Sequence, residues 1–426
     1  EDFRTPLYPM FLGLFQHLLG PYALMGVVIA QHMLLFAAGL LVAYLVCRLT
    51  GSRTATLLAY AWLVSCQIRP WFCNTVLTEP LFTLFLIGSL GALIAYHRNP
   101  DARWAAAFAS LLAITTLVRP VPKLLWIPLL ALFFLHATPW VARRVPLGRI
   151  LGHTAVVVLV LIAVLLPWYV RNWVVLGEPF HTHIPTVNKW QVCFQGGSAA
   201  RLPIPDTEPG RRLLGLIGTP EGDVPNRHCT AVLAALESRG LSAAEADDLV
   251  TAVCLDAIRE HPTRFAWPIV KRFLNFWRVE SEGIPFYDGP RSFGDQRLWR
   301  VESVADVYDD VLTHTPSHWL RWNELVAAAA FAGILLMITR PRTRLVGLSL
   351  AVVCLYFAGV TSALEVENYR YRMVLEPLMI LAVVCGAWAL QPRFESGRRE
   401  LRLNLGRWRV QVARSEAPAP VPRELT

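Results

Sequence analysis

Residues 74–84, Asn-Thr-Val-Leu-Thr-Glu-Pro-Leu-Phe-Thr-Leu, place one carboxylate, Glu79, at the mouth of an apolar run that continues to Tyr96. A charge in hydrocarbon is costly, so carboxylates at membrane depth are few and need a reason. Glu79 can simply end a helix at headgroup level, with Pro80 at the first helical position and the helix dipole favouring a negative charge. It can also belong to a site. Arg69, Arg119, Lys123, Arg171, Arg370 and Arg372 each stand within a few residues of the end of an apolar run. Each alone can be an anchor that snorkels to the interface. Gathered at one boundary with a carboxylate, they suit an anionic ligand, because the guanidinium fork matches phosphate oxygens two at a time. A phosphate carried at lipid headgroup level would be met by such residues.

The elements that must position them are apolar. The chain of 426 residues is 54% hydrophobic and only 17% charged, which excludes an ordinary soluble domain. Apolar runs at 22–47, 54–68, 77–96, 104–118, 122–140, 150–170, 324–339, 344–363 and 373–391 predict about nine spanning helices. The fold class is all-α, a polytopic helical membrane protein. Residues 9–20 are too short a run to span and predict an interfacial helix. The net charge of +9 does not point to nucleic acid, because most Lys and Arg sit between apolar runs or in the tail.

Charge orients the chain. Arg48, Arg53, Arg98, Arg103, Arg143, Arg144, Arg149, Arg340, Arg342, Arg344 and the arginines from Arg393 to Arg414 fall on one side. The positive-inside rule makes that side cytoplasmic. The Glu79 loop, residues 118–123, the segment after residue 170 and residues 364–372 then face outside. Four regions follow: an N-terminal transmembrane module with six spans (1–170), a mostly helical extracytoplasmic segment (171–323), a C-terminal module with three spans (324–391) and a cytoplasmic basic tail (392–426), which reads as disordered. The pattern is that of a multi-pass protein of the plasma (inner) membrane.

Within the long segment, Ser242-Ala-Ala-Glu245 is a capping box opening a helix that runs to about His261. Residues 263–279 are basic and aromatic and suit a helix lying on the membrane surface, or a core helix of a small outside domain. Residues 181–227 are rich in Gly and Pro and read as a mobile loop. Cys193, Cys229 and Cys254 lie outside with Cys73, so one or two disulfides are open, with no connectivity deducible. His181-Thr-His183 is at most half a metal site without a third ligand. No metal ligands are identifiable, and the cofactor question, a divalent metal included, stays open.

No phosphate-cradling loop, dinucleotide fingerprint or nucleophile elbow occurs. Five motifs do occur in order: Arg4-Thr-Pro-Leu-Tyr-Pro9, Leu77-Thr-Glu-Pro-Leu-Phe82, Leu117-Val-Arg-Pro120, Leu166-Pro-Trp-Tyr-Val-Arg-Asn172 and Tyr369-Arg-Tyr-Arg-Met-Val-Leu-Glu-Pro377. Over roughly residues 1–390 the set resembles bacterial membrane glycosyltransferases of the GT-C superfamily, the glycosyltransferase family 39 or dolichyl-phosphate-mannose–protein mannosyltransferase-like group, which includes aminoarabinose transferases. The resemblance implies an enzyme that moves a sugar from a polyprenyl-phosphate donor to a lipid, glycan or protein acceptor at the outer face. It implies that Glu79 stands for the second-loop acid, near donor phosphate and acceptor. Arg119, Arg370 and Arg372 fall where the family's basic residues meet the lipid phosphate, and Arg4, Tyr8, Arg69, Lys123 and Arg171 join them as substrate-binding candidates. The family's general base, an Asp after the first span, is expected upstream of Arg4, which points to an N-terminally truncated chain.

An inverting transfer of this kind needs a base for the acceptor hydroxyl and stabilisation of the leaving phosphate. Two other classes are weighed against it. A polyprenyl-lipid flippase or transporter would place ionisable groups near the bilayer midplane and often repeats its halves. Here the spans are charge-free at their centres, apart from His32, and no inverted repeat is visible. A non-catalytic membrane subunit is the third reading.

Overall fold

In the computed structural model, residues 5–65, 73–74, 76–141, 144–176, 184–195, 200–218, 224, 228–277, 322–364, 369–390, 400–405 and 408–413 are described. The protein is a polytopic helical membrane protein. Helices α1 (Leu7–Leu19), α2 (Ala23–Thr50), α3 (Arg53–Ser65), α4 (Glu79–Arg98), α5 (Ala102–Val118), α6 (Trp126–Phe134) and α7 (Leu147–Leu176) form its first part. Helices α8 (Ile184–Phe194), α9 (Glu208–Ile217), α10 (Cys229–Ser238), α11 (Ala243–Glu260) and α12 (Pro262–Trp277) follow, then α13 (Trp322–Thr339), α14 (Arg344–Leu364) and α15 (Tyr369–Ala389).

Each of the nine apolar runs carries a helix. Among the described residues, five helical stretches are long and apolar enough to cross a membrane: Leu7–Thr50, Glu79–Arg98, Leu147–Val175, Arg344–Leu364 and Arg372–Ala389. The remaining apolar helices are shorter; α3 has 13 residues and α5 has 17. At about 1.5 Å per residue the 17 residues of α5 come to roughly 26 Å, a little under the roughly 30 Å of hydrocarbon. The run at 9–20, expected as an interfacial helix, is helical as α1. A single 3₁₀ turn, Gly20–Tyr22, joins it to α2, and it turns Tyr8 into the protein while Met10, Leu14 and Leu18 stay exposed.

The bundle core is apolar and continuous, running through Val42, Val46, Phe82, Leu86, Leu93, Phe108, Leu112, Val353, Phe357, Leu375 and Leu378. Small residues bring α13 and α15 together most closely. A Cβ on Gly333 would meet the Ala382 carbonyl, and one on Gly386 would meet the Gly333 backbone. Helices that bury no water between them gain by such close backbone approach.

A second apolar cluster lies between residues 190 and 257. It is built on Trp190, Cys193, Leu202, Leu213, Val232, Leu236, Val250, Val253 and Cys254. One sequence expectation changes here and another holds. Residues 184–194 and 208–217, read as part of a mobile loop, are helices α8 and α9, because Trp190 and Leu213 are fully buried in this cluster. The helix predicted from Ser242 is present, with both halves of its capping box formed.

Helix α12 belongs to both cores. Phe265 packs against the second cluster, and Phe276 is buried in the bundle. At one end Arg264 donates to the Ala200 carbonyl at 3.2 Å and to the Arg201 carbonyl at 2.6 Å. Two turns on, Arg272 Nε donates to the Ser362 carbonyl at 2.6 Å. Pro268 lies between them, inside the helix. Helix α12 therefore bridges the two cores, its cations meeting backbone carbonyls on both sides, while its Val270 and Leu274 stay exposed.

The tail, read as disordered, contains an antiparallel hairpin, β1 (Glu400–Leu405) with β2 (Trp408–Ala413), pairing Leu401 with Val412 and Leu403 with Val410. Strict alternation of apolar and polar residues, Leu401, Leu403 and Leu405 against Arg402 and Asn404, is the strand pattern that the basic composition concealed.

Candidate functional site

Two prolines shape the Glu79 end of the bundle. Pro80 sits in the first turn of α4, where its missing N–H is no loss, so the helix opens at Glu79 and not later. Pro120 acts on the residue before it, which it disfavours in the helical region. Arg119 accordingly leaves α5 in extended conformation, φ −149° and ψ 138°. That break turns Arg119 out of the helical rows and towards α4. Its Nη1 donates to Glu79 Oε1 at 2.8 Å, an ion pair with side-chain exposures of 11% and 6%. Glu79 Oε2 also accepts from the Thr78 hydroxyl at 3.4 Å. The Arg119 guanidinium lies over the Phe82 ring, one turn further into α4, at 5.9 Å from its centroid.

Phe82 meets Phe357 of α14 edge-on, with ring centroids 5.9 Å apart. The neighbouring Tyr356 donates its hydroxyl to the Val121 carbonyl at 2.8 Å and accepts from the Leu124 amide at 3.2 Å. These contacts fix the short turn that carries Lys123. Lys123 Nζ stands 5.6 Å over the Tyr169 ring, and Arg171 stands 5.0 Å over Trp168. Arg171 also donates to Asn172 Oδ1 at 3.1 Å. The Leu-Pro-Trp-Tyr-Val-Arg-Asn motif thus lays two aromatic faces under two cations, a geometry in which each contact is worth about 0.5–1 kcal/mol when exposed.

Arg372 is buried, 1% exposed, on α15 and donates Nη1 to Glu376 Oε1 at 3.2 Å. The pair spans one helical turn, and Pro377 follows it directly within the helix. Tyr8 is buried on α1 and donates its hydroxyl to Gln31 Oε1 at 2.8 Å, while Gln31 Nε2 donates to the Cys73 carbonyl at 2.8 Å. Thr5, beside it, donates to the Val118 carbonyl at 2.7 Å, which ties the start of the chain to the end of α5 next to Arg119.

The structure thus joins Glu79 to Arg119 directly and sets Lys123 and Arg171 over one aromatic pair. It gives Arg372 a carboxylate of its own and Tyr8 an amide. Arg370 lies in the first turn of α15, but its side chain is outside the described residues, as are Arg4, Arg69 and the His181-Thr-His183 pair. Among the described residues no group of three or more His, Cys, Asp or Glu could hold a metal ion.

Four participants were missed by the sequence reading. Glu376 sat inside a recognised motif without a role, although its spacing of four from Arg372 on a helix marks a pair. Gln31 carried no signal beyond being polar in an apolar helix. Lys271 and Arg272 are both buried, 9% and 4% exposed, on a helix whose aromatics lie on more than one face. That breadth of apolar surface was the sign that α12 is covered on more than one side.

Protein-family comparison finds no family that matches this chain, and no curated protein matches it either. Among solved structures, the crystal structure of ArnT from Cupriavidus metallidurans bound to undecaprenyl phosphate is similar at 14% identity and a TM-score of 0.34. That likeness covers 88% of this chain and 67% of the ArnT chain. At that TM-score it carries no weight for fold or function.

Proposed function

We propose that the protein is a GT-C-type membrane glycosyltransferase that moves a sugar from a polyprenyl-phosphate donor to a lipid, glycan or protein acceptor. One observation carries this reading: a carboxylate and a guanidinium, both nearly out of solvent, meet at 2.8 Å at the mouth of an apolar bundle. They stand inside the ordered Thr-Glu-Pro and Val-Arg-Pro motifs that resemble this superfamily. Residues 171–323 form the extracytoplasmic segment, and the Glu79 end of the bundle faces outside, as the arginine distribution supports.

In this reading the acceptor hydroxyl oxygen attacks the anomeric carbon of the donor. The bond from that carbon to the phosphate oxygen breaks, its electron pair leaves on the phosphate, and the hydroxyl proton passes to a base. The leaving phosphate is already charged, so cations matter more than a strong acid. Arg119, with Arg370, Arg372 and Lys123, supplies that positive charge. A guanidinium presents its N–H donors in a planar fork, the geometry that matches phosphate oxygens two at a time. Glu79 holds Arg119 at the mouth of the bundle and is the carboxylate facing donor and acceptor.

The flippase reading loses support because the apolar runs carry no Asp, Glu, Lys or Arg near their centres. The test is transfer of labelled sugar from a synthetic polyprenyl-phosphate donor, in membranes holding the full-length protein. Glu79→Gln keeps the shape of the side chain and should lower turnover by about 10²-fold or more. Arg119→Lys should recover only part of what Arg119→Ala loses, since a point charge cannot make the fork. Wild-type transfer by Glu79→Gln, or lipid translocation without transfer by the unaltered protein, defeats the assignment.

A further inference from the structure

Helices α8 and α11 lie side by side, and their side chains pair like the rungs of a ladder. Thr186 Oγ1 donates to Asp247 Oδ2 at 2.8 Å. Lys189 Nζ donates to Thr251 Oγ1 at 2.8 Å. One turn further along both helices stand Cys193 and Cys254, both free and fully buried. The rungs advance by three or four residues on each helix, the spacing that holds a single face. Both helices therefore run in the same direction across this contact, and both thiols are fully buried in the second core.

The same register settles which cysteines can meet. Cys229 also lies in this core, but its Sγ is held at the first rung, 4.0 Å from the Thr186 carbonyl oxygen. Thr186 and Cys193 are about two turns, roughly 10 Å, apart along α8 at 1.5 Å per residue. A disulfide needs sulfurs about 2 Å apart and Cβ atoms about 4 Å apart. Cys73 belongs to the bundle, where its thiol donates to the Gln31 carbonyl at 3.5 Å.

We propose that Cys193 and Cys254 form a disulfide in the mature protein and that Cys229 stays a thiol. The proposal rests on the outward placement of residues 171–323, where disulfides form and persist. It does not depend on the transfer reaction. The oxidant is a disulfide-bearing protein thiol oxidase. The Cys193 thiolate attacks one oxidant sulfur, the oxidant S–S bond breaks, and a mixed disulfide forms. The Cys254 thiolate then attacks the Cys193 sulfur and expels the second oxidant thiolate. The two cysteines lose two electrons and two protons, and the oxidant becomes a dithiol. Exchange belongs to the folding stage. Once the core closes, the neighbouring Cys193 and burial hold the Cys254 thiol well above its ordinary value, leaving little thiolate to react. The bond would tie α8 to α11 across the glycine- and proline-rich stretch between them.

The test uses the full-length protein in its native membrane. Denaturing it in N-ethylmaleimide without reductant, then digesting, should give the Cys193 and Cys254 peptides joined, and Cys229 carrying maleimide. Maleimide on both Cys193 and Cys254, or a bridge that includes Cys229, overturns the proposal. A parallel Ser238→Cys variant, exposed on α10, reports orientation through an impermeant maleimide added to intact cells. Labelled position 238 with free Cys193 and Cys254 removes the disulfide and leaves the outward placement standing. Position 238 labelled only after permeabilisation, with both thiols free, removes the disulfide and the outward placement together.

Discussion

Helix α4 begins and ends in buried polar chemistry of two different kinds. At its first residue, Glu79 and Arg119 meet as full charges. At its far end, His97 Nδ1 lies 3.1 Å from His136 Nε2, and His97 Nε2 lies 3.1 Å from Ser349 Oγ. The Ser349 hydroxyl hydrogen goes to the Leu345 carbonyl at 2.8 Å, so Ser349 must accept from His97. His97 Nδ1 is then an acceptor, and His136 donates to it. Beside them Tyr96 stacks on Phe133 and pairs its hydroxyl with His153 Nδ1 at 3.1 Å. Across these rings donors meet acceptors with no full charge. Such a polar network fixes how α4, α7 and α14 sit. The ion pair holds opposite charges, each costly to leave buried without the other. The contrast fits positioning at the His97 end and, under the proposed function, ligand chemistry at the Glu79 end.

The largest effect that can break this contrast comes from Glu79→Ala. It leaves Arg119 charged without its carboxylate and should cost about 3–5 kcal/mol in unfolding free energy, read from denaturation of the detergent-solubilised protein. The double variant Glu79→Leu with Arg119→Leu should recover most of that stability and still lack transfer. Recovered transfer in the double variant would make the pair merely structural.

His97→Phe comes next. It removes two hydrogen-bond partners from buried groups and should cost about 1–3 kcal/mol, with turnover per folded molecule unchanged. A fall in turnover beyond the folded fraction would erase the distinction between the two ends.

Glu245 gives the smallest effect and an exposed carboxylate for scale. The Ser242 backbone amide, then its hydroxyl, hold the Glu245 carboxyl below its ordinary value. A depressed folded value means stability that is present above the unfolded value of about 4.5 and lost as pH falls through the folded one. The melting temperature should be higher for the protein than for Glu245→Gln at pH 6, and the gap should close on acidification below 4.5. A constant gap would exclude the capping carboxylate as its source.

The parts of the site that local rules determine were legible in the sequence. Thr-Glu-Pro opens a helix at a carboxylate, and Val-Arg-Pro ends one at an arginine, because a proline acts on its immediate neighbours. The capping box at Ser242 was legible for the same reason. Which helices would face each other was not. Arg272 meeting the Ser362 carbonyl joins positions 90 apart, and no spacing along α12 announces it. Residues 184–217 show the other limit. Their glycines and prolines suggested a loop, whereas the burial of Trp190 and Leu213 makes helices of two stretches between them.

Helix α12 is, in mechanical terms, a beam clamped twice. Arg264 grips one core through two carbonyls, and Arg272 grips the other through one. Pro268 stands midway, one turn from each clamp. It has no N–H for the carbonyl of residue 264, so the ladder lacks a rung between the two fixed points. A helix bends where such a rung is missing. Whatever relative motion the segment and the bundle make along this helix is thereby concentrated in a single turn, which acts as a flexure of defined position between two rigid grips.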